Sequence, residues 1–327
     1  MDDRSNEAEQ RRLEALRLAM SPILPFLEDD AVVEIILNAD GAVWIERVGR
    51  GMVKTDVRLD ARDTFRMLQL VASATNTEVT DQRPSLAALI PGWSARLQAM
   101  VPPVTEAPVF TIRKPPKRIF TLDDYVASAI MTEGQARTIR SAVQNRLNIL
   151  VGGSTGSGKT TLANAILQEI ATATTDRVYI VEDLHELQCA APNKLQLWVQ
   201  PGGYSWQRAI TDALRSRPDR IVVGEIRDGA ATLELIKAWN TGHPGGLATV
   251  HANDTRAMLD RVCQLLEEVV PVAPSALIAG TINVCVHIAR DHSHRAGRRI
   301  TGIDEVRGSD ADGRWMLSAS ANSTAPG

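Results

Sequence analysis

The chain has 327 residues, 44% of them hydrophobic, and 36 basic against 39 acidic side chains give a formal net charge of −3. That length accommodates two domains with an apolar core each, and the balance excludes the basic excess of a general nucleic-acid binder. Cys189, Cys263 and Cys285 form no C-x-x-C pair, no apolar run reaches the roughly 18 residues of a membrane span, and Met1-Asp2-Asp3-Arg4 lacks the basic start of a signal peptide, so the expectation is a cytosolic, soluble protein, at most peripherally attached to a membrane.

Leu13, Leu16, Met20, Ile23 and Leu27 recur at helical spacing over residues 7 to 27, predicting an amphipathic helix disturbed by Pro22 and Pro25, with protein as its partner. The first 30 residues carry eight acids and four arginines, a balance that anionic lipid repels. Short strands are predicted over 32–37, 42–47 and 52–57, separated by Asn38-Ala39-Asp40-Gly41 and by Gly49-Arg50-Gly51, the pattern of a meander. A helix over about 61–75 and strands near 94–101 and 108–113 complete a small α+β domain. Pro115-Pro116 halts regular structure, which places a linker at 114–120.

Helices near 121–130 and 133–145 lead into the apolar run 147–151, a strand buried on both faces. Apolar runs recur at 177–181, 195–199, 220–223 and 247–250 with helical segments among them, the alternation of a mostly parallel sheet. The division expected is a helical extension over 1–29, an α+β domain over 30–113, a linker over 114–120, an α/β domain over 121–318, and a small-residue, disordered tail over 319–327.

Gly153-Ser154-Thr155-Gly156-Ser157-Gly158-Lys159-Thr160 matches G-x-x-x-x-G-K-[ST] in full, between a predicted strand and a predicted helix. Its glycines let backbone N–H groups curl around phosphate oxygens, Lys159 reaches the β and γ phosphates of ATP, Thr160 can ligate Mg²⁺, and Thr161 continues the helix start facing the nucleotide. Ile221-Val222-Val223-Gly224-Glu225 is a short apolar strand ending in an acid that can hold Mg²⁺ or its waters. Val178-Tyr179-Ile180-Val181-Glu182-Asp183 has the same shape, and the two acids together can polarise a water; a solvated acid at a strand end is the plainer alternative for each. His251, just after the run 247–250, either senses the γ-phosphate or packs as an ordinary side chain, and His243 is equally open.

In this order, the phosphate loop, the segment Ile180-Val181-Glu182-Asp183, the segment 214–228 ending in Gly224-Glu225-Ile226-Arg227-Asp228, and Thr241-Gly242-His243 through His251-Ala252-Asn253-Asp254 resemble the motifs of the type II and type IV secretion ATPases, the hexameric traffic ATPases. Arg96, then Val101-Pro102-Pro103-Val104 and Phe110-Thr111-Ile112-Arg113-Lys114, resemble the segment joining that family's two domains. The resemblance covers roughly residues 30 to 290, and the compact length without a tetracysteine module resembles the conjugative branch. It implies a RecA-like P-loop ATPase domain behind a smaller α+β domain, with ATP and Mg²⁺ as cofactors. It further implies that Glu182 activates the attacking water, Glu225 organises Mg²⁺ and that water, His251 contacts the γ-phosphate, and Arg96, Arg113 and Arg227 reach the nucleotide. Arg215 and Arg217 fit basic positions flanking the second nucleotide motif. Two departures stand out: the strand over 221–225 ends in glutamate where the general P-loop pattern has aspartate, and Leu184-His185 replaces the family's usual small residue and proline.

The implied partners are five further copies in a homo-hexameric ring and inner-membrane components of a conjugative or type IV secretion apparatus, on its cytoplasmic face. A pilus-assembly or retraction motor of the same family is the alternative. A RecA-like nucleic-acid motor shares the phosphate loop, but six tryptophans, three tyrosines and four phenylalanines with no basic-aromatic cluster argue against it, and no sequence-specific nucleic-acid binding is expected. A nucleotide-binding switch without turnover would not need both Glu182 and Glu225.

Overall fold

The computed structural model describes residues 3–47, 50–115, 119–199, 203–291 and 293–319, with side chains from residue 10 onward. The chain divides into two compact units, 1–117 and 118–327.

In the first unit the prolines split the predicted N-terminal helix into α1 (Asp3–Ala19) and α2 (Leu24–Glu28), because Pro25 lacks the N–H that would continue α1 while it fits a first helical turn. The partner of the apolar stripe is this same unit. Leu16, Met20, Ile23 and Leu27 are buried in a core shared with β1 (Val32–Leu37), β2 (Ala42–Arg47) and α3 (Ala61–Ala74). Asp60 caps α3 by accepting from Arg62 N at 2.7 Å. β3 (Gly51–Arg58) forms one edge of a six-stranded sheet ordered β3-β2-β1-β6-β5-β4, with β4 at Ser85–Ile90, β5 at Ala95–Met100 and β6 at Val109–Arg113. The sheet is two antiparallel meanders joined where β1 pairs β6. β4 is an addition to the sequence expectation: Ser-Leu-Ala-Ala-Leu-Ile has little intrinsic strand preference and is held by its pairing with β5. Lys114, expected in the linker, is tied to this unit through bonds from Nζ to the Phe26 and Asp29 carbonyls at 3.0 and 2.6 Å, whereas 116–118 lie outside the described residues.

The second unit begins with α4 (Leu122–Ala127) and α5 (Glu133–Gln144), each started by a capping box, on Thr121 with Asp124 and on Thr132 with Gln135. β7 (Ile149–Gly152), α6 (Lys159–Ala173), β8 (Val178–Glu182), β9 (Lys194–Trp198), α7 (Trp206–Ala213), β10 (Arg220–Val223), α8 (Gly229–Asn240) and β11 (Leu247–Val250) follow in alternation. α9 (Thr255–Glu267), α10 (Ser275–Thr281), β12 (Val284–Arg290), β13 (Arg298–Ser309) and β14 (Trp315–Ala319) complete the unit. The eight-stranded sheet is ordered β14-β13-β12-β7-β11-β10-β8-β9. Strands β12 through β9 in that order run parallel, while β13 and β14 add an antiparallel edge that the sequence reading lacks. β7, β8, β10 and β11 are buried along their whole length, as strands covered by helices on both faces must be. One face packs Val151 and Ile180 against Leu162 and Ile166 of α6; the other packs Leu150 and Val250 against Leu235 of α8 and Leu259 of α9. The tail expected from 319 overlaps the end of β14 at Ala319, and 320–327 lie outside the described residues.

Candidate nucleotide site

Parallel strands in the order β8-β10-β11-β7 bring four segments far apart in sequence to one edge of the sheet, their carboxyl ends, where open α/β sheets bind ligands. β7 ends at Gly152 before the phosphate loop, β8 at Glu182, β10 two residues before Glu225, and β11 one residue before His251.

The loop turns on Gly156 and Gly158, with φ of +70° and +107°, a left-handed conformation that costs another residue roughly 1–2 kcal/mol. α6 then starts at Lys159, so its first N–H groups face the loop's concavity. Lys159 is buried and donates to the carbonyls of Gly153 and Ser154 at 2.9 and 3.1 Å. Its ammonium also stands 3.1 Å from His251 Nδ1. An ammonium has only donors, so Nδ1 is the acceptor and the imidazole proton resides on Nε2. Burial lowers the His251 pKa below 6.5, with Glu225 opposing and Lys159 and Arg227 adding to the shift, which keeps the ring neutral at pH 7. Ser154 and Thr155 are exposed on the loop, Ser157 is buried, and Thr161 is half-buried in the first turn of α6.

His251 Nε2 lies 2.8 Å from Glu225 Oε1 without the angle of a directional bond, so that buried oxygen has no hydrogen-bond partner. The other oxygen, Oε2, accepts from Arg227 Nη2 at 2.5 Å, and Arg227 Nη1 donates to Asp183 Oδ2 at 2.9 Å. A continuous line of charged and polar groups therefore runs from Lys159 through His251, Glu225 and Arg227 to Asp183, tying all four strand ends together.

Glu182 adjoins this line with both oxygens occupied. Oε2 accepts from the N–H groups of Glu186 and Leu187 at 3.0 and 2.9 Å, and Oε1 from Gln196 Nε2 at 2.5 Å. The side chain is 2% exposed, and burial lifts its pKa to about 7 against those three donors. The carboxylate that reaches the loop belongs to Glu186, whose Oε2 accepts from Thr160 Oγ1 at 3.3 Å. Asn164 fixes that segment, donating to the Glu186 carbonyl at 3.0 Å and accepting from Gln188 N at 2.8 Å. Sequence reasoning assigned no role of their own to Asp183 and Glu186; the signal was their place just past an apolar strand that ends in an acid.

The donors suit a hard divalent cation: the Thr160 hydroxyl and the unpartnered Glu225 oxygen are both oxygen donors. Among the described residues no three His, Cys, Asp or Glu side chains form a cage that could hold a metal ion.

Three further residues singled out in the sequence lie at the far end of β10. Arg215 and Arg217 are exposed between α7 and β10, at the opposite end of β10 from Glu225, and Asp219 there accepts from Arg177 N at 2.7 Å. His243 Nδ1 meets the Pro218 carbonyl at 3.0 Å, a structural contact at that same far end. Arg96 and Arg113 belong to the first unit, where they are direct register partners on β5 and β6.

The chain belongs to the type II/IV secretion system protein family, which matches residues 17–322. It is 44% identical over 282 residues to the conjugal transfer protein TrbB of Rhizobium radiobacter, covering 86% of each chain. It is 30% identical over 289 residues to the type IV secretion system protein VirB11 of Bartonella quintana, covering 76% of this chain and 80% of that one. Its fold is similar to that of the ADP-bound pilus retraction motor PilT, with a TM-score of 0.64 at 18% identity over 91% of this chain and 84% of the other.

Proposed function

We propose that this chain hydrolyses ATP to ADP and phosphate to drive a conjugative type IV secretion apparatus, as a homo-hexameric ring at the cytoplasmic face of the inner membrane. The observation that carries the reading is the line from Lys159 to Asp183 across four strand ends, with the Thr160–Glu186 pair beside it. The 44% identity to a conjugal transfer protein supports the conjugative branch. Among the described residues no helix is long and apolar enough to cross a membrane.

In this reading the second unit is a RecA-like domain. The N–H groups of residues 153–158 and the amino end of α6 surround the phosphates, and Lys159 exchanges its carbonyl contacts for the β and γ phosphates. Thr160 and Glu225 would hold Mg²⁺, which would supply neutralisation of the developing phosphate charge. Glu186 orients the attacking water, while Glu182 holds the Glu186 segment by its main-chain N–H groups. Neutral His251, whose Nε2 lies 2.8 Å from Glu225 Oε1, senses the γ-phosphate. Arg227 holds Glu225 in place; Arg96 and Arg113 are assigned to the nucleotide on the family resemblance alone.

The test is steady-state ATP hydrolysis over a protein concentration series, with the mass in solution recorded and with and without single-stranded DNA. Turnover that rises with ring assembly and ignores DNA supports the reading. Turnover negligible alone and stimulated many-fold by DNA would replace it with a nucleic-acid motor.

A further inference from the structure

Two arginines grip the phosphate loop from outside. Arg290 ends β12, Arg298 begins β13, and the two are direct partners in the antiparallel register. Arg290 Nε donates to the Gly156 carbonyl at 3.0 Å, and Arg298 Nη1 to the Ser157 carbonyl at 3.3 Å. A Cβ on Gly156 would run into the Arg290 guanidinium, and one on Gly158 into that of Arg298. The glycines thus serve the arginines' approach as well as the loop's positive φ.

A loop that turns its N–H groups inward onto an anion turns its carbonyls outward, and those carbonyls need donors of their own. Here the donors are guanidiniums, whose charge-assisted bonds are stronger than neutral ones and polarise each peptide so that its inward N–H is more positive. The neighbouring Arg299 is paired with Asp291 at 2.8 Å. Among the described residues neither Arg290 nor Arg298 forms an ion pair with a carboxylate, and each donates to a loop carbonyl.

We propose that Arg290 and Arg298 are positioning residues that lock the Gly156 and Ser157 peptides in their anion-binding orientation and thereby set the affinity for nucleotide rather than the rate of its hydrolysis. The inference rests on the reading of this loop as an ATP site.

The experiment titrates the full-length chain with ATP and with a fluorescent ADP analogue, both with Mg²⁺, comparing wild type with R290Q, R298Q, the double variant, R290K and R298K. Each single glutamine should raise the Kd for both nucleotides about fivefold to tenfold, and the pair about thirtyfold or more, the scale of one net hydrogen bond each. Lysine, which keeps the charge and N–H donors but not the planar fork, should restore part of the affinity, and kcat at saturating ATP should stay within about threefold of wild type. A double variant whose Kd lies within about twofold of wild type, or a loss of kcat at unchanged Kd, overturns the proposal. Melting curves without nucleotide identify a glutamine variant that fails to fold; the lysine variants then decide, a raised Kd supporting the clamp and an unchanged one sinking it. A wild-type chain that binds neither nucleotide defeats the ATP-site reading itself, a result visible before any variant is made.

Discussion

Arg220 is 1% exposed at the start of β10, and replacing it with methionine tests how the far end of the sheet is held. Its Nε donates to Asp176 Oδ2 at 2.7 Å, Nη1 to the Gly245 carbonyl at 3.1 Å and Nη2 to the Val143 carbonyl at 2.9 Å. One side chain thus joins the end of α5, the start of β8 and the loop before β11. Removing one partner of a buried ion pair costs about 3–5 kcal/mol, and each buried carbonyl left without a donor adds about 1–3 kcal/mol. Asp176 keeps a second cation, Arg146, which is 42% exposed, and methionine refills most of the volume, so the net loss should fall near 4 kcal/mol, within the range for broken buried pairs. For a unit of this size that lowers the melting temperature by about 8–16 °C. The assay is urea and thermal unfolding of Arg220→Met, Asp176→Asn and the double variant. A loss below about 1 kcal/mol, or strictly additive losses in the double variant, would refute the reasoning. Acid titration adds a second reading. Burial raises the Asp176 pKa, but Arg220 and Arg146 lower it further, leaving it below the usual 3.8. The pair's stabilisation is therefore fully present above pH 3.8 and lost as pH falls through the lower folded value, a loss that should shrink in Arg220→Met.

Lys159→Ala should reduce phosphate release at least about a hundredfold, because it removes the loop's ammonium, which bonds the Gly153 and Ser154 carbonyls and stands beside His251. Retained turnover would defeat the proposed mechanism. Glu186→Gln should lower turnover by about 10²- to 10⁴-fold with little effect on stability, the scale of a lost general base. Glu182→Ala should instead destabilise, because the Glu186 and Leu187 N–H groups and the Gln196 amide lose their acceptor, at about 1–3 kcal/mol each. The reverse pattern in phosphate release and melting curves would return the water-orienting role to Glu182.

Much of the fold is legible locally. The runs 32–37, 42–47 and 220–223 are strands because apolar, β-branched residues bounded by glycine, proline or asparagine have few other options. The elements missed are those whose local pattern is weak. β4 is alanine-rich, and β13 carries Arg298, Arg299, Asp304, Glu305 and Arg307 on a strand paired on both sides. Such segments become strands through their partners, and no window of sequence contains the partner. The site divides in the same way: Lys159, Glu225 and His251 announce themselves at the ends of apolar runs, whereas Arg290 and Arg298 look like two surface arginines in a basic stretch.

By itself the sequence determined the phosphate loop, the strand-and-helix alternation around it and the acids that follow the strands, because each depends on residues adjacent in the chain. Only the tertiary structure decided which carboxylate faces Thr160. Glu182 and Glu186 lie four residues apart, and the pairing of β8 with β9 brings Gln196 to Glu182, closing off that acid and leaving Glu186 for the loop. It also decided that the β12–β13 hairpin backs the loop with two guanidiniums, since that contact joins residues more than a hundred positions apart through strand order, which local preference does not encode.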